Sequence, residues 1–127
     1  MRAVLDTNVV IAGELVTGGF DVAVTSLTYA ELAWGVSAAP DDVTRALRSA
    51  GLQRTRQIFG HGLPFDDEAA ASYEHVTALV RARGRNVRAR AVDLMIAAIA
   101  RSHGAALITR STEDFAGLDG LVDVIEA

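Results

Sequence analysis

The sequence predicts an α/β fold of three layers, α/β/α, in which helices flank both faces of a short parallel central sheet. Two observations carry this. Four short apolar runs, Ala3-Val4-Leu5, Val22-Ala23-Val24, Ala105-Ala106-Leu107-Ile108-Thr109 and Leu121-Val122-Asp123-Val124-Ile125, have the length and character of buried strands. Helical patterns separate them, and strands that alternate with helices build a parallel sheet covered on both sides. Ligands of such sheets bind beyond the carboxyl ends of the strands. Asp6 and residues 109–114 therefore become neighbours at one edge.

The elements follow in order. The first strand ends at Asp6-Thr7-Asn8, a capping segment for a helix through Val9-Val10-Ile11-Ala12. Gly18-Gly19 breaks the chain before the second strand. Thr28-Tyr29-Ala30-Glu31 fits a capping box that opens a helix through Trp34 towards Val36. Pro40-Asp41-Asp42 starts another helix, with Val43, Ala46, Leu47 and Ala50 on one face. After Gly60, Gly62 and Leu63-Pro64-Phe65, the acidic start Asp66-Asp67-Glu68 leads into a helix that packs through Val76, Leu79 and Val80. Residues 81–90 hold five arginines (Arg81, Arg83, Arg85, Arg88 and Arg90) and no acid, with Gly84 interrupting the helix. Residues 91–103 form a strongly apolar helix that Gly104 stops in the position a C-cap favours. No internal repeat, linker or low-complexity segment divides the chain, so residues 1–127 are expected to form one domain.

Composition narrows the chemistry. Half of the 127 residues are hydrophobic and 22% are charged, a globular balance; a chain this long buries roughly two-thirds of its unfolded surface. Cysteine is absent, which excludes a disulfide framework, a thiolate zinc site and a cysteine nucleophile. Lysine is absent too, all 12 basic residues being arginine. That removes the Walker-type phosphate loop, Schiff-base chemistry and the phosphoacceptor signalling domains that depend on a lysine. There is neither a Gly-x-Gly-x-x-Gly nor a Gly-x-Ser-x-Gly, and His61, His75 and His103 are scattered without ligand spacing. An acid already stands at position 6 and no apolar run approaches the ~20 residues of a membrane span, so a soluble, cytoplasmic protein without membrane partners is expected.

Four acids are out of place. Asp93 sits in Ala91-Val92-Asp93-Leu94-Met95-Ile96-Ala97-Ala98, a helix apolar nearly all round; a buried carboxylate is costly unless paired, hydrogen-bonded or metal-bound. Its bland alternative is a first-turn acid facing the helix dipole. Asp6 ends the first strand and equally suits an Asx cap. Glu31 lies in apolar company and equally suits closure of a capping box with Thr28. Asp114, in Ser111-Thr112-Glu113-Asp114-Phe115, where Ser111 or Thr112 could cap a short turn, is alone an ordinary loop acid. All four nevertheless stand at a strand end or a first helical turn, where they can converge on one sheet edge. Carboxylates held close repel unless they share a proton or a cation, and oxygen-only ligands suit Mg²⁺ or Mn²⁺. Such ions activate water against phosphodiesters.

These segments resemble the PIN-domain family and, within it, the VapC-type toxins of bacterial toxin–antitoxin systems. The matching pieces are Val4-Leu5-Asp6-Thr7-Asn8, Ser26-Leu27-Thr28-Tyr29-Ala30-Glu31-Leu32, Ala91 through Ala98, and Leu107-Ile108-Thr109-Arg110-Ser111-Thr112-Glu113-Asp114-Phe115. They span nearly the whole chain. The resemblance implies a divalent-metal-dependent endoribonuclease, with Asp6, Glu31, Asp93 and Asp114 as catalytic and metal-binding acids and Mg²⁺ or Mn²⁺ as cofactor. It also implies a cognate antitoxin whose tail occupies the active-site groove, and a homodimer. The family often carries asparagine or aspartate where this chain has Ser111; Thr7 and Ser111 become candidates for hydroxyl contacts to a carboxylate, water or phosphate.

The net charge of −4 does not exclude RNA, because the site acids are offset by metal and the remaining acids balance the arginines. Arg88 and Arg90, just before Asp93, are candidates for contacts to substrate phosphates, with a solvated basic loop as the alternative. Leu15, Val16, Trp34 and Val36 would suit an antitoxin helix, and ordinary core packing equally. The rival functions are a nuclease or phosphatase acting on another phosphoester with the same acids, and a catalytically silent interaction module.

Overall fold

Four short parallel strands form one sheet, in which the first and third in chain order are the central, most buried pair. The computed structural model describes residues 1–13 and 18–127. Its strands are β1 (Arg2–Leu5), β2 (Asp21–Ala23), β3 (Ala106–Thr109) and β4 (Val124–Glu126), in the order β2-β1-β3-β4. Side chains alternate across a strand, and the core divides accordingly. On β1, Val4 joins Leu94, Ala97, Leu107, Val76 and Val80 on one face, while Ala3 and Leu5 join Val9, Val24, Tyr29, Ala106 and Ile108 on the other. The first face is covered by α4 (Asp67–Ala82) and α5 (Ala91–Ser102), the second by α1 (Thr7–Ala12), α2 (Ser26–Ser37) and α3 (Asp42–Phe59). This is the expected three-layer α/β/α arrangement. Each fully buried Leu or Ile contributes roughly 1.5–3 kcal/mol, and Leu94, Ile96, Ile99, Leu107 and Ile108 all lie in this class. Among the described residues no helix is long and apolar enough to cross a membrane.

Three local expectations are corrected. The helix expected to open at Thr28 begins at Ser26, and its cap is Thr25, whose side chain accepts from the Thr28 amide at 3.2 Å. Thr25 is fully buried and pairs with Leu63, the Ser26 amide donating to the Leu63 carbonyl at 2.9 Å. The loop comes so close that a Cβ on Gly62 would lie 2.6 Å from the Ser26 nitrogen. A distant loop thus fixes where α2 starts and leaves Glu31 free of capping duty.

The second correction concerns α3. The face of Val43, Ala46, Leu47 and Ala50 points to solvent, with Val43 72% and Leu47 69% exposed. Instead α3 reaches the core in its second half, through Leu52, Thr55 and Phe59. Third, Ser111 makes no capping hydrogen bond to the 3₁₀ turn Thr112–Phe115 that follows it. Of the residues suited to an antitoxin helix, Trp34 is exposed and Val36 partly buried, while Leu15 and Val16 lie outside the described residues.

Candidate active site at the carboxyl edge of the sheet

Asp6 leaves the end of β1 and caps α1. One carboxylate oxygen accepts from the Thr7 amide at 2.8 Å, the other from the Thr109 hydroxyl at 2.8 Å, and the residue is buried. Capping and site membership are therefore two uses of one carboxylate. Burial raises its pKa above the ordinary value, an effect that the Thr109 and Thr7 hydrogen bonds counter and that the Asp114 charge reinforces.

Asp93 occupies the first turn of α5 and is partly buried. Its pKa is pushed up to about 6, first by burial, then by the charges of Asp6, Glu31 and Asp114, with Arg90 opposing. These repulsions show that the four acids share one electrostatic neighbourhood. Glu31 is on the exposed rim, where its carboxylate accepts from the Thr7 hydroxyl at 2.6 Å. Asp114 sits in the 3₁₀ turn after β3, its side chain 43% exposed.

The hydroxyls orient rather than reach outward. Because Thr7 donates to Glu31, the buried Thr28 hydroxyl 2.9 Å away donates to Thr7. Asn8 donates to Ser111 at 3.2 Å and to Thr109 at 3.4 Å, and its carbonyl oxygen accepts from the Arg110 amide. Thr109 in turn accepts from the Ser111 amide at 3.0 Å. Asn8, Thr28 and Thr109 are site-building residues that the sequence reading did not assign. Their only sequence signal is polarity at the ends of apolar elements.

The arginines divide. Arg90 donates to the Asp114 carbonyl at 2.7 Å and the Glu113 carbonyl at 3.3 Å, and lies 3.7 Å from the Asp114 carboxylate. Arg85 also donates to the Glu113 carbonyl, at 3.2 Å. Arg88 is exposed, and among the described residues its side chain makes no hydrogen bond or ion pair. Arg90 is thus committed to the turn, whereas Arg88 remains available to a ligand.

Known proteins share this plan. The family model described as PIN domain matches residues 3–121. The chain belongs to the PIN domain family. This PIN domain is 40% identical over 129 aligned residues to ribonuclease VapC5 of Mycobacterium tuberculosis, covering 95% of the chain and 90% of that protein. It is 31% identical over 101 residues to toxin FitB of Neisseria gonorrhoeae, covering 78% and 71%. Among solved structures it superposes on VapBC-5 from M. tuberculosis, a member of the VapBC family of toxin–antitoxin systems, with a TM-score of 0.81 at 36% identity, covering 99% and 98% of the two chains. On FitAcB from N. gonorrhoeae the TM-score is 0.77 at 29% identity, covering 97% and 96%.

The donor set of the PIN domain suits a hard divalent cation, since every candidate ligand is an oxygen and the mutual repulsion felt by Asp93 is what a cation would relieve. Among the described residues, however, no three acids or histidines stand as a ready-made cage. Three of the four carboxylates are held by a neighbour: Asp6 by Thr109, Glu31 by Thr7 and Asp114 by Arg90.

Proposed function

We propose that this PIN domain is a divalent-metal-dependent endoribonuclease, the toxin of a toxin–antitoxin pair, acting on RNA in the cytoplasm as a homodimer. The observation that carries the reading is the Asp93 carboxyl, pushed up to about 6 by burial and by three other acids at the ligand-binding edge of a parallel sheet. Its relatives' names, ribonuclease VapC5 and toxin FitB, point the same way. Exposed Trp34, Val43 and Leu47 on α2 and α3 favour a protein partner such as the cognate antitoxin.

In this mechanism Asp6, Asp93 and Asp114 would hold Mg²⁺ or Mn²⁺, and Glu31 would either join them or orient the attacking water. When bound, the ion supplies Lewis acidity towards water and the scissile phosphodiester. Thr109 and the Thr7 amide fix both oxygens of Asp6. Thr7 and Thr28 fix Glu31 at the rim. Ser111 accepts from Asn8, leaving its own proton to donate at the fourth corner. Arg88 contacts a phosphate beside the scissile bond.

The test is incubation of the purified chain with total cellular RNA, with Mg²⁺ or Mn²⁺ and then with chelator, beside an Asp93→Asn control. Discrete, metal-dependent products absent from the control are expected. A folded chain that binds Mn²⁺ without cutting RNA points to another phosphoester. A chain that neither cuts nor binds Mn²⁺ is the silent interaction module.

A further inference from the structure

The arginine island is not one patch. Its members face different partners, and Arg90 is tied to the acid cluster by three contacts to one turn: the Asp114 carbonyl at 2.7 Å, the Glu113 carbonyl at 3.3 Å and the Asp114 carboxylate at 3.7 Å. Arg90 also immediately precedes α5, whose first turn carries Asp93. One short segment thus bears a candidate ligand and the guanidinium that grips the turn bearing the opposite one. All three contacts come from one guanidinium nitrogen, Nη1, so the grip depends on where the side chain delivers that single donor.

We propose that Arg90 is a positioning residue, which aims the Asp114 carboxylate into the acid cluster and couples it to Asp93. The proposal rests on the reading of the acids as a metal site. As a plain counter-ion Arg90 would compete with a cation, and its removal would tighten metal binding. As a positioning residue it holds a ligand in place, and its removal weakens binding. The two roles predict opposite signs.

The experiment measures Mn²⁺ affinity of the full chain, by electron paramagnetic resonance, for the native protein, Arg90→Lys and Arg90→Gln, each also in an Asp114→Asn background. Arg85→Gln serves as control, since Arg85 holds the Glu113 carbonyl without contacting Asp114. Arg90→Gln should bind Mn²⁺ roughly 10-fold more weakly, the scale for losing a partner that orients a metal ligand, and Arg90→Lys, which keeps one cationic donor, should lose less. The loss should shrink to within about twofold in the Asp114→Asn background, since coupled residues are not additive, and Arg85→Gln should stay near native. Equal or tighter binding by Arg90→Gln, or an equal loss in Arg85→Gln, overturns the positioning role and leaves the metal site standing. No Mn²⁺ binding by the native chain overturns the metal-site reading, and this proposal with it.

Discussion

Replacing Asp93 with asparagine should abolish cleavage and yet stabilise the metal-free fold at neutral pH. The carboxyl moves from its ordinary 3.8 to about 6 on folding, a destabilisation of at most about 3 kcal/mol once ionised. Asp93 is partly exposed, and solvent screening reduces this to about 1.5 kcal/mol. Asparagine removes that penalty of burial and like-charge repulsion but forfeits the helix-dipole interaction of a first-turn acid, about 0.3–1 kcal/mol. The net expectation is a gain approaching 1 kcal/mol, a rise in Tm of about 3–5 °C. Because the folded-state pKa is raised, the folded protein holds a proton between pH 3.8 and about 6 that the unfolded chain has released. Native stability therefore falls as pH rises through that window, with the penalty complete above it and absent below 3.8. Thermal unfolding in chelator at pH 8 and at pH 4 checks this, the advantage of the variant appearing only at the higher pH. Mn²⁺ should then raise the Tm of the native chain alone. An asparagine variant no more stable than native at pH 8 would refute the argument that burial and neighbouring charge penalise the ionised Asp93.

Four further outcomes are expected. Thr109→Val strips a buried carboxylate oxygen of its donor and should cost about 1–3 kcal/mol in urea unfolding, with Thr109→Ser restoring most of it. Gly62→Ala drives a methyl into the Thr25–Ser26 backbone; a loss of about 1–3 kcal/mol is expected by chemical denaturation, with cleavage reduced because the start of α2 orients Glu31. Arg88→Ala should weaken RNA binding and lower the slope of log affinity against log salt by about 1, measured by filter binding. Leu107→Ala, fully buried, should cost about 2–5 kcal/mol by the same unfolding assay, whereas exposed Leu47→Ala stays within about 0.5 kcal/mol.

The linear sequence determined what is local. Element order, the buried strands β1 and β3, the Asp6 cap, the glycine stop after α5 and the first-turn placement of Asp93 are all readable from short windows, whereas Glu31, expected in a first turn, falls in the second because α2 opens at Ser26. Periodicity and capping act over a few residues. What lay between distant residues was decided by the tertiary structure. The hydroxyl that fixes Asp6 comes from Thr109, 103 positions away. The start of α2 is set at Thr25 by the strand-like pairing with Leu63, which no capping pattern encodes. The buried face of α3 depends on which half of the helix reaches the sheet. Arg90 reads as one more cation beside Asp93 until the 112–115 turn folds back within 2.7 Å of it. Carboxylate chemistry can be located from sequence because acids are conspicuous in apolar company. Their orientation cannot, because neutral hydroxyls, amides and carbonyls supply it across the sheet edge.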